Sequence, residues 1–441
     1  MIRSVAREIT PLVTALIGHS DRLPIRFWDG STLGPSGANT IVVKSPQAIR
    51  RLLWAPGELG LGRAYVAGDI DLEGDIMEII SLAYESADDD SEVIRRQIKA
   101  GDLPGLIRIA GKLGALGRPP TPPPEEVRVR GGVHTKERDA AAVAHHYDVG
   151  NEFYALFLGD TMTYSCAYFE SESSGLDEAQ IAKYDLICRK LGLEPGMRLL
   201  DVGCGFGGMA IHAATRYGVE VTGITLSREQ AELAREYVSE AGMTDSVEIR
   251  CQDYRDVIDG PFEAVSSIGM FEHVGLSQLT EYFTRIKDLM IPGGRFLNHG
   301  ISRPSGTGAL PKRSFIARYV FPDGELHEVG RAITSMQELG LEVRDVESLR
   351  EHYGRTLRHW VANLEGSWSE AVDLVGSNRA RIWRLYMAAS ALNFEAGRNS
   401  VHQVLAINAE PDGSSRMPAT RNGLLTETTA TETKGAVAAA K

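Results

Sequence analysis

From residue 174 to residue 270 the spacing of apolar and polar positions alternates between two rhythms. "SGLDEAQIAKYDLICRKLGLEPG" carries apolar residues at helical spacing and stops at Gly192. "MRLLDVG" is a short continuous apolar run, the pattern of a buried strand. "GGMAIHAATRYG" predicts a helix, "VEVTGIT" a strand, and "SREQAELAREYVSEAG" a helix with Ser227 as its N-cap. "SVEIRCQDY" and "FEAVSSIGM" predict two more strands. Strands alternating with helices of this length imply a parallel sheet joined by crossovers, an α/β fold.

The pattern upstream is different. "IRFWDGSTLGPSGANTIVVKS" alternates between turn signals and predicts a hairpin, and "SPQAIRRLLWAP" a helix capped by Ser45. "GELGLGRAYVAGDIDLEGD" is acidic and punctuated by glycine. In "GRPPTPPPEEVRVRGG" five prolines fall within the six positions Pro119 to Pro124, which makes a stiff extended spacer. The expected organisation is an N-terminal α+β domain over 1–116, a Pro-rich linker over 117–135, a second domain over 136–409 and a disordered tail over 410–441. The N-terminal "MIRSVAREITPLVTALIGHS" is interrupted by Glu8 and Pro11 and lacks a small-residue cleavage site. It predicts an amphipathic helix and not an export signal.

Composition narrows the function classes. A chain of 441 residues has room for two domains. Its net charge of −12 argues against a general nucleic-acid binder, which would carry a basic footprint. The cysteines, Cys166, Cys188, Cys204 and Cys251, form no C-x-x-C pair and no zinc spacing. No metal is expected, and a reduced cytoplasmic setting is. No apolar run approaches the roughly 18 residues of a spanning helix.

The chemistry starts at "LLDVGCGFGG". A strand ends in Asp201, then Gly203, Gly205, Gly207 and Gly208 lead into a helix. Glycines there let the backbone turn sharply and approach a nucleotide closely. A dinucleotide loop would read G-x-G-x-x-G. Here the spacing is G-x-G-x-G-G after an acid. That resembles the first motif of class I methyltransferases, and the resemblance implies that the acid faces the methionine amino group of S-adenosylmethionine. The next strand, "VTGITLSREQ", lacks the usual ribose-binding acid.

"HYDVGNEFYALFLGDTMTYSCAYF", "LDEAQIAKYDLICRKLGLEPGMRLLDVGCGFGG", "VTGITLSREQ", "SIGMFEHVG" and "HYGRTLRHW" occur in one order and spacing. With them, residues 146–404 resemble the cyclopropane fatty acyl phospholipid synthases and mycolic acid methyltransferases. The N-terminal region resembles that of the bacterial phospholipid-acting members. "FIARYVFPDGELHEVG", and "HGI" where cyclopropane synthases usually carry "HTI", resemble the branch making tuberculostearic-type methyl-branched fatty acids.

The resemblance implies a class I methyltransferase fold with a seven-stranded mixed sheet. It implies a cofactor site of Tyr164, Ser165, Asp201, Gly203, Gly205, Gly207, Thr225, Leu226, Gln230, Asp253 and Tyr254. Thr225 with Gln230 would stand in for the missing ribose acid. It implies a bound bicarbonate ion as base, held by Cys166, Glu272, His299, the Ile301 backbone and Tyr353, with Glu272 and His299 relaying the proton. The substrate would be an unsaturated acyl chain of a membrane phospholipid, reached from the cytoplasmic face. The product would be a 10-methylene chain, finished by a separate flavin- or NADPH-dependent reductase; ring closure to a cyclopropane is the alternative.

Taken one at a time, these residues have plainer readings. A lone buried Cys fills space, His299 could end a strand, and Glu272 with His273 could start a helix. Their occurrence together in register argues for function. His145, His212, His273 and His402 are read as structural. "LPKRSFIARYVFPDG" interleaves Lys312, Arg313 and Arg318 with Phe315, Tyr319 and Phe321, which suits a headgroup interface or a helix packed on the core. The N-terminal region is expected to dock lipid or to pair two copies in a homodimer. A methyltransferase of soluble molecules and a non-catalytic lipid-binding protein are the competing functions.

Overall fold

The computed structural model describes residues 4–17, 23–85, 103–127, 136, 138, 149–307, 311, 313–322 and 324–425. His145, His146, Lys312, the end of the linker from 128 and the tail from 426 lie outside them. Two compact units result. One takes in 1–157, 308–324 and 354–398, the other 158–307, 325–353 and 399–441.

The first unit has a four-stranded sheet in the order β2-β1-β3-β4. Strand β1 (Ile25–Phe27) pairs antiparallel with β2 (Thr32–Leu33). It pairs parallel with β3 (Thr40–Val43), which in turn pairs antiparallel with β4 (Ile70–Glu73). The predicted hairpin thus covers only its first half. Residues 34–39 form a loop long enough to carry the chain across to the other edge of β1. The Pro46–Trp54 helix is capped by Ser45, as expected. The predicted N-terminal helix runs over Val5–Ile17 and packs Ile9 and Val13 with Leu23, Phe27 and Ile49.

The short Phe315–Tyr319 helix favours the core-packing reading for two of its aromatics. Phe315 and Tyr319 are buried. The Phe315 ring lies where Gly62 has no side chain; a Cβ there would be 2.3 Å from it. Tyr319 donates to Glu126, which also pairs with Arg63 at 2.6 Å. Phe315 and Tyr319 are core, as in the alternative reading, and Phe321 is half-buried.

The second unit is the α/β fold. Its sheet runs β10-β11-β9-β8-β5-β6-β7. Strands β5 (Arg198–Val202), β6 (Glu220–Thr225), β7 (Val247–Cys251), β8 (Phe262–Ile268) and β9 (Met290–Ser302) are parallel. β11 (Ser400–Ile407) joins β9 antiparallel, and β10 (Glu342–Ser348) joins β11 antiparallel. The sheet is therefore mixed and seven-stranded.

Side chains alternate across it. Leu199 packs with Ile187, Ala213 and Ala234 of the Leu176–Leu191, Gly208–Tyr217 and Arg228–Glu240 helices. Leu200 packs with Phe283 and Met336 of the Leu279–Asp288 and Val329–Glu338 helices. Gly192 takes the left-handed cap conformation (φ +61°) and ends its helix, and Ser227 caps the helix it precedes. From β5 the chain winds outward to β7, then returns to β8 on the other side of β5. Such a reversal opens a crevice at the carboxyl ends of the two strands.

Candidate active site

Asp201 lies at the carboxyl end of β5, paired in register with Ser266 of β8. The Ser266 hydroxyl donates to Asp201 Oδ1 at 2.7 Å. Oδ2 is buried and has no hydrogen-bond partner among the described residues. Burial pushes the carboxyl up to about 6, against the opposing pull of the Ser266 bond and the Lys183 charge.

The glycine loop follows. The amides of Gly203 and Cys204 both donate to the Ile224 carbonyl, tying the loop to β6. Gly203 has φ +76°, and a Cβ there would lie 2.5 Å from Met270 Cγ. Gly205 has φ +55°, and open space faces it. Gly207 is the N-cap of the Gly208–Tyr217 helix.

Ser165 is held from the Leu176–Leu191 helix. Gln180 Nε2 donates to its carbonyl at 2.9 Å, and Lys183 Nζ to its Oγ at 2.8 Å. Tyr164, beside it, is half-buried. Lys183 is fully buried, and burial pushes its ammonium down to about 7 although Cys166 and Asp201 oppose the shift.

At the end of β6, Thr225 Oγ1 donates to Gln230 Oε1 at 2.8 Å, and both residues are buried. The two expected ribose partners are therefore in contact with each other, with Leu226 half-buried between them in sequence. Beyond β7, both Asp253 oxygens engage Arg255, at 2.8 and 2.6 Å. Tyr254 is buried edge-on against Tyr282.

The second group of residues follows β8 and lines β9. Glu272 lies in the single turn Phe271–Val274, and the Ile301 amide donates to its Oε1 at 2.6 Å. Glu272 Oε2 is buried without a partner among the described residues. Burial pushes this carboxyl up to about 7, with the Ile301 amide opposing the rise. The Ile301 N–H that the resemblance gave to a bound anion is thus engaged by Glu272. His299 lies on β9 in register with Ile268, and its Nε2 is likewise buried and unpartnered among the described residues. Burial together with Lys183, Lys190 and His402 holds the imidazole well below its ordinary range. The Cys166 thiol donates to the carbonyls of Ala167 and Leu349, at 3.2 and 3.7 Å. The amide of Tyr353 donates to that same Leu349 carbonyl, so Cys166 and Tyr353 converge there.

Three polar side chains of this region were not expected: Lys183, Lys190 and Gln403, each fully buried. A helical wheel would have found the lysines. Gln180, Lys183, Ile187 and Lys190 share the buried stripe of their helix, while Ile181 is left 48% exposed.

The unpartnered Asp201 oxygen, above a glycine loop, suits the ammonium of a methionine moiety. Residues 134–404 match the family described as mycolic acid cyclopropane synthetase, and residues 15–92 match a domain of unknown function. A protein of Mycobacterium tuberculosis named "Probable fatty acid methyltransferase" is 43% identical over 93% of this chain and 96% of its own length. The cyclopropane-fatty-acyl-phospholipid synthase of Escherichia coli is 33% identical over 85% of this chain and 90% of its own. The solved structure of mycolic acid cyclopropane synthase CmaA1 with SAH and CTAB is 35% identical, with a TM-score of 0.58, over 61% of this chain and 98% of that one. Among the described residues no helix is long and apolar enough to cross a membrane. The chain belongs to the mycolic acid cyclopropane synthetase family and is an S-adenosylmethionine-dependent methyltransferase of fatty acyl chains.

Proposed function

We propose that this enzyme methylates the double bond of an oleoyl-like chain in membrane phospholipid and releases a 10-methylene product. The observation that carries the reading is Glu272, a buried carboxyl with one oxygen unpartnered among the described residues and its proton affinity raised to near neutrality. A water-accessible amine or hydroxyl can pass its proton to solvent on methylation. An alkene buried in a lipid chain needs a base beside it: its π pair attacks the sulfonium methyl carbon, a carbocation forms on the neighbouring carbon, and one proton must leave. S-adenosylmethionine supplies the electrophilic methyl.

Asp201 holds the methionine ammonium, Lys183 fixes Ser165, and the glycine loop admits the ligand by its lack of side chains. Tyr164, Thr225, Leu226, Gln230, Asp253 and Tyr254 complete that side. Glu272 Oε2 when protonated, and His299 Nε2 as an N–H, suit a small oxyanion. Bicarbonate held there, with Cys166, Ile301 and Tyr353 around it, would supply an oxygen base beside the cation. With no anion bound, ionised Glu272 would itself stabilise the cation and accept the proton.

Loss of that proton after a hydride shift gives the methylene product, which a separate flavin- or NADPH-dependent reductase would saturate. The "HGI" and "YVFPDGELHEVG" segments support this outcome, as does the name of the 43% identical relative. Ring closure from the same cation is the second reading, supported by the name of the Escherichia coli relative. The enzyme would act as a peripheral protein on the cytoplasmic face. Its first 116 residues would form a lipid- or dimer-associated domain, joined through 117–135 to a catalytic domain over 136–409.

The test is incubation with vesicles of dioleoyl phospholipid and methyl-labelled S-adenosylmethionine. Vinylic protons in the NMR spectrum of the labelled chains are expected. Upfield ring protons alone would replace the methylene reading with ring closure, and no label in the acyl chains would overturn both.

A further inference from the structure

Behind His299 runs a row of buried polar groups that reaches a cluster of charges. Gln403 lies directly across from His299 in the β9–β11 pairing, and its Nε2 is 3.3 Å from His299 Nδ1. Its Oε1 accepts from Lys190 Nζ at 2.8 Å. Lys190 also pairs with Glu347 at 2.5 Å and Asp345 at 3.4 Å. Arg421 meets the same two carboxylates, at 3.0 Å from Asp345 and 3.6 Å from Glu347. Two cations face two anions, so the cluster is balanced in charge.

The hydrogen bonds then have a single consistent direction. An ammonium only donates, so the amide oxygen of Gln403 must face Lys190. The amide nitrogen is left facing His299, and it too only donates. His299 Nδ1 must therefore present a lone pair. A neutral ring with its lone pair on Nδ1 carries its proton on Nε2. Both Gln403 and Lys190 have no exposed surface, so water does not offer the ring another arrangement.

We propose that Gln403, oriented by Lys190, is a positioning residue that locks His299 as the Nε2–H tautomer. His299 then serves as a fixed hydrogen-bond donor to an oxygen in the site. It does not take up the substrate proton, because Nε2 has no lone pair to receive it. That role falls to Glu272 or to an oxyanion beside it, and the proton relay through His299 implied by the resemblance is removed. The catalytic consequence rests on the function proposed above; the tautomer does not.

The test uses the full chain labelled with ¹⁵N-histidine, with His299 assigned by its loss in a His299→Asn variant. Two-bond ¹⁵N–¹H correlation spectra should show an unprotonated Nδ1 and a protonated Nε2. A proton on Nδ1, or a charged ring at neutral pH, would overturn the proposal whatever the variants do. Gln403→Glu keeps shape and still pairs with Lys190, but its ionised carboxylate only accepts. At about pH 8 it should draw the proton to Nδ1. Methyl transfer to dioleoyl phospholipid should then fall by about 10²–10³, the scale of a lost oxyanion donor, with the Kd for S-adenosylmethionine nearly unchanged. An unmoved tautomer, or a moved tautomer with unimpaired turnover, rejects the assignment. If wild-type enzyme labels no acyl chain, the proposed function fails while the spectra still decide the tautomer.

Discussion

The carboxyl ends of β5 and β8–β9 carry two halves of one candidate site, built from different materials. At β5 the backbone dominates: glycines with positive φ, amides tied to the Ile224 carbonyl, and a single carboxyl, Asp201. At β8–β9 the side chains dominate: Glu272 and His299, buried, each with an atom unpartnered among the described residues, and His299 wired through Gln403 to Lys190. A backbone site is broken by adding atoms. A side-chain site is broken by changing a proton. Each half therefore has its own diagnostic substitution, and the two should separate binding from turnover.

The largest effect is expected at Glu272. Glu272→Gln keeps the shape and removes the proton acceptor. Turnover should fall by about 10²–10⁴ while S-adenosylmethionine still binds. Single-turnover transfer of labelled methyl beside a calorimetric titration reads both quantities. Equal loss in both would erase the contrast between the halves.

Gly205 gives the converse. Open space faces it, so Gly205→Val adds atoms where a ligand would lie, and its Cβ meets no neighbour within 4 Å. Its φ of +55° adds a strain of about 1–2 kcal/mol. Affinity for S-adenosylmethionine should drop by roughly tenfold or more, with the circular-dichroism spectrum retained. Unchanged affinity would remove the loop from the cofactor site. Gly203 is a poorer probe, since a side chain there strikes Met270 first.

The same contrast explains what the sequence made legible. Alternating strands and helices, Ser45 and Ser227 as caps, Gly192 as a stop and the glycine loop are local signals, set by the nearest few residues. The parallel placement of β3 beside β1 is not local, because the loop after β2 does not say on which edge the chain returns. The two readings of Phe315 and Tyr319 stayed open for a related reason. Cations alternating with aromatics suit a membrane surface, but Gly62, more than 250 positions earlier in the chain, has no side chain where the Phe315 ring packs. Gln403 was invisible because its meaning lies in strand register, on β11 directly across from His299 of β9, whereas Lys190 could be read from the buried stripe of its helix.

Burial of Glu272 also has a cost in stability, and its sign is fixed. In an unfolded chain this carboxyl titrates near 4.5; in the fold it holds its proton to about 7. Between those values the folded state binds more protons than the unfolded one, so stability falls as pH rises. The full penalty, on the order of 3 kcal/mol, is present above about pH 7. Glu272→Gln should therefore raise Tm at about pH 8 and raise it much less at about pH 5, where the folded carboxyl still holds its proton and most of the penalty has not yet developed. The wild-type rate should rise with pH through about 7, and the variant should lose that limb. A Tm gain equal at both pH values would assign it to packing and not to the carboxyl's charge.

The smallest expected effect is at Gly300, where the resemblance marks a departure from "HTI". A Cβ there would lie 2.9 Å from the Cβ of Phe271 and 3.4 Å from Asn298 Nδ2. Gly300→Thr must therefore push Phe271, and Phe271 directly precedes Glu272 in the same helical turn. Overpacking of this kind costs about 1–3 kcal/mol, and part of it should be relieved by movement of that turn. The bond from the Ile301 amide to Glu272 is what such movement would lengthen. Since that bond favours the ionised carboxyl, weakening it raises the pH at which Glu272 loses its proton. Gly300→Thr should thus lower Tm modestly and shift the acid limb of the rate profile to higher pH, with the affinity for S-adenosylmethionine unchanged. A loss of Tm with an unmoved acid limb would confine the strain to Phe271 and show that Glu272 does not feel residue 300.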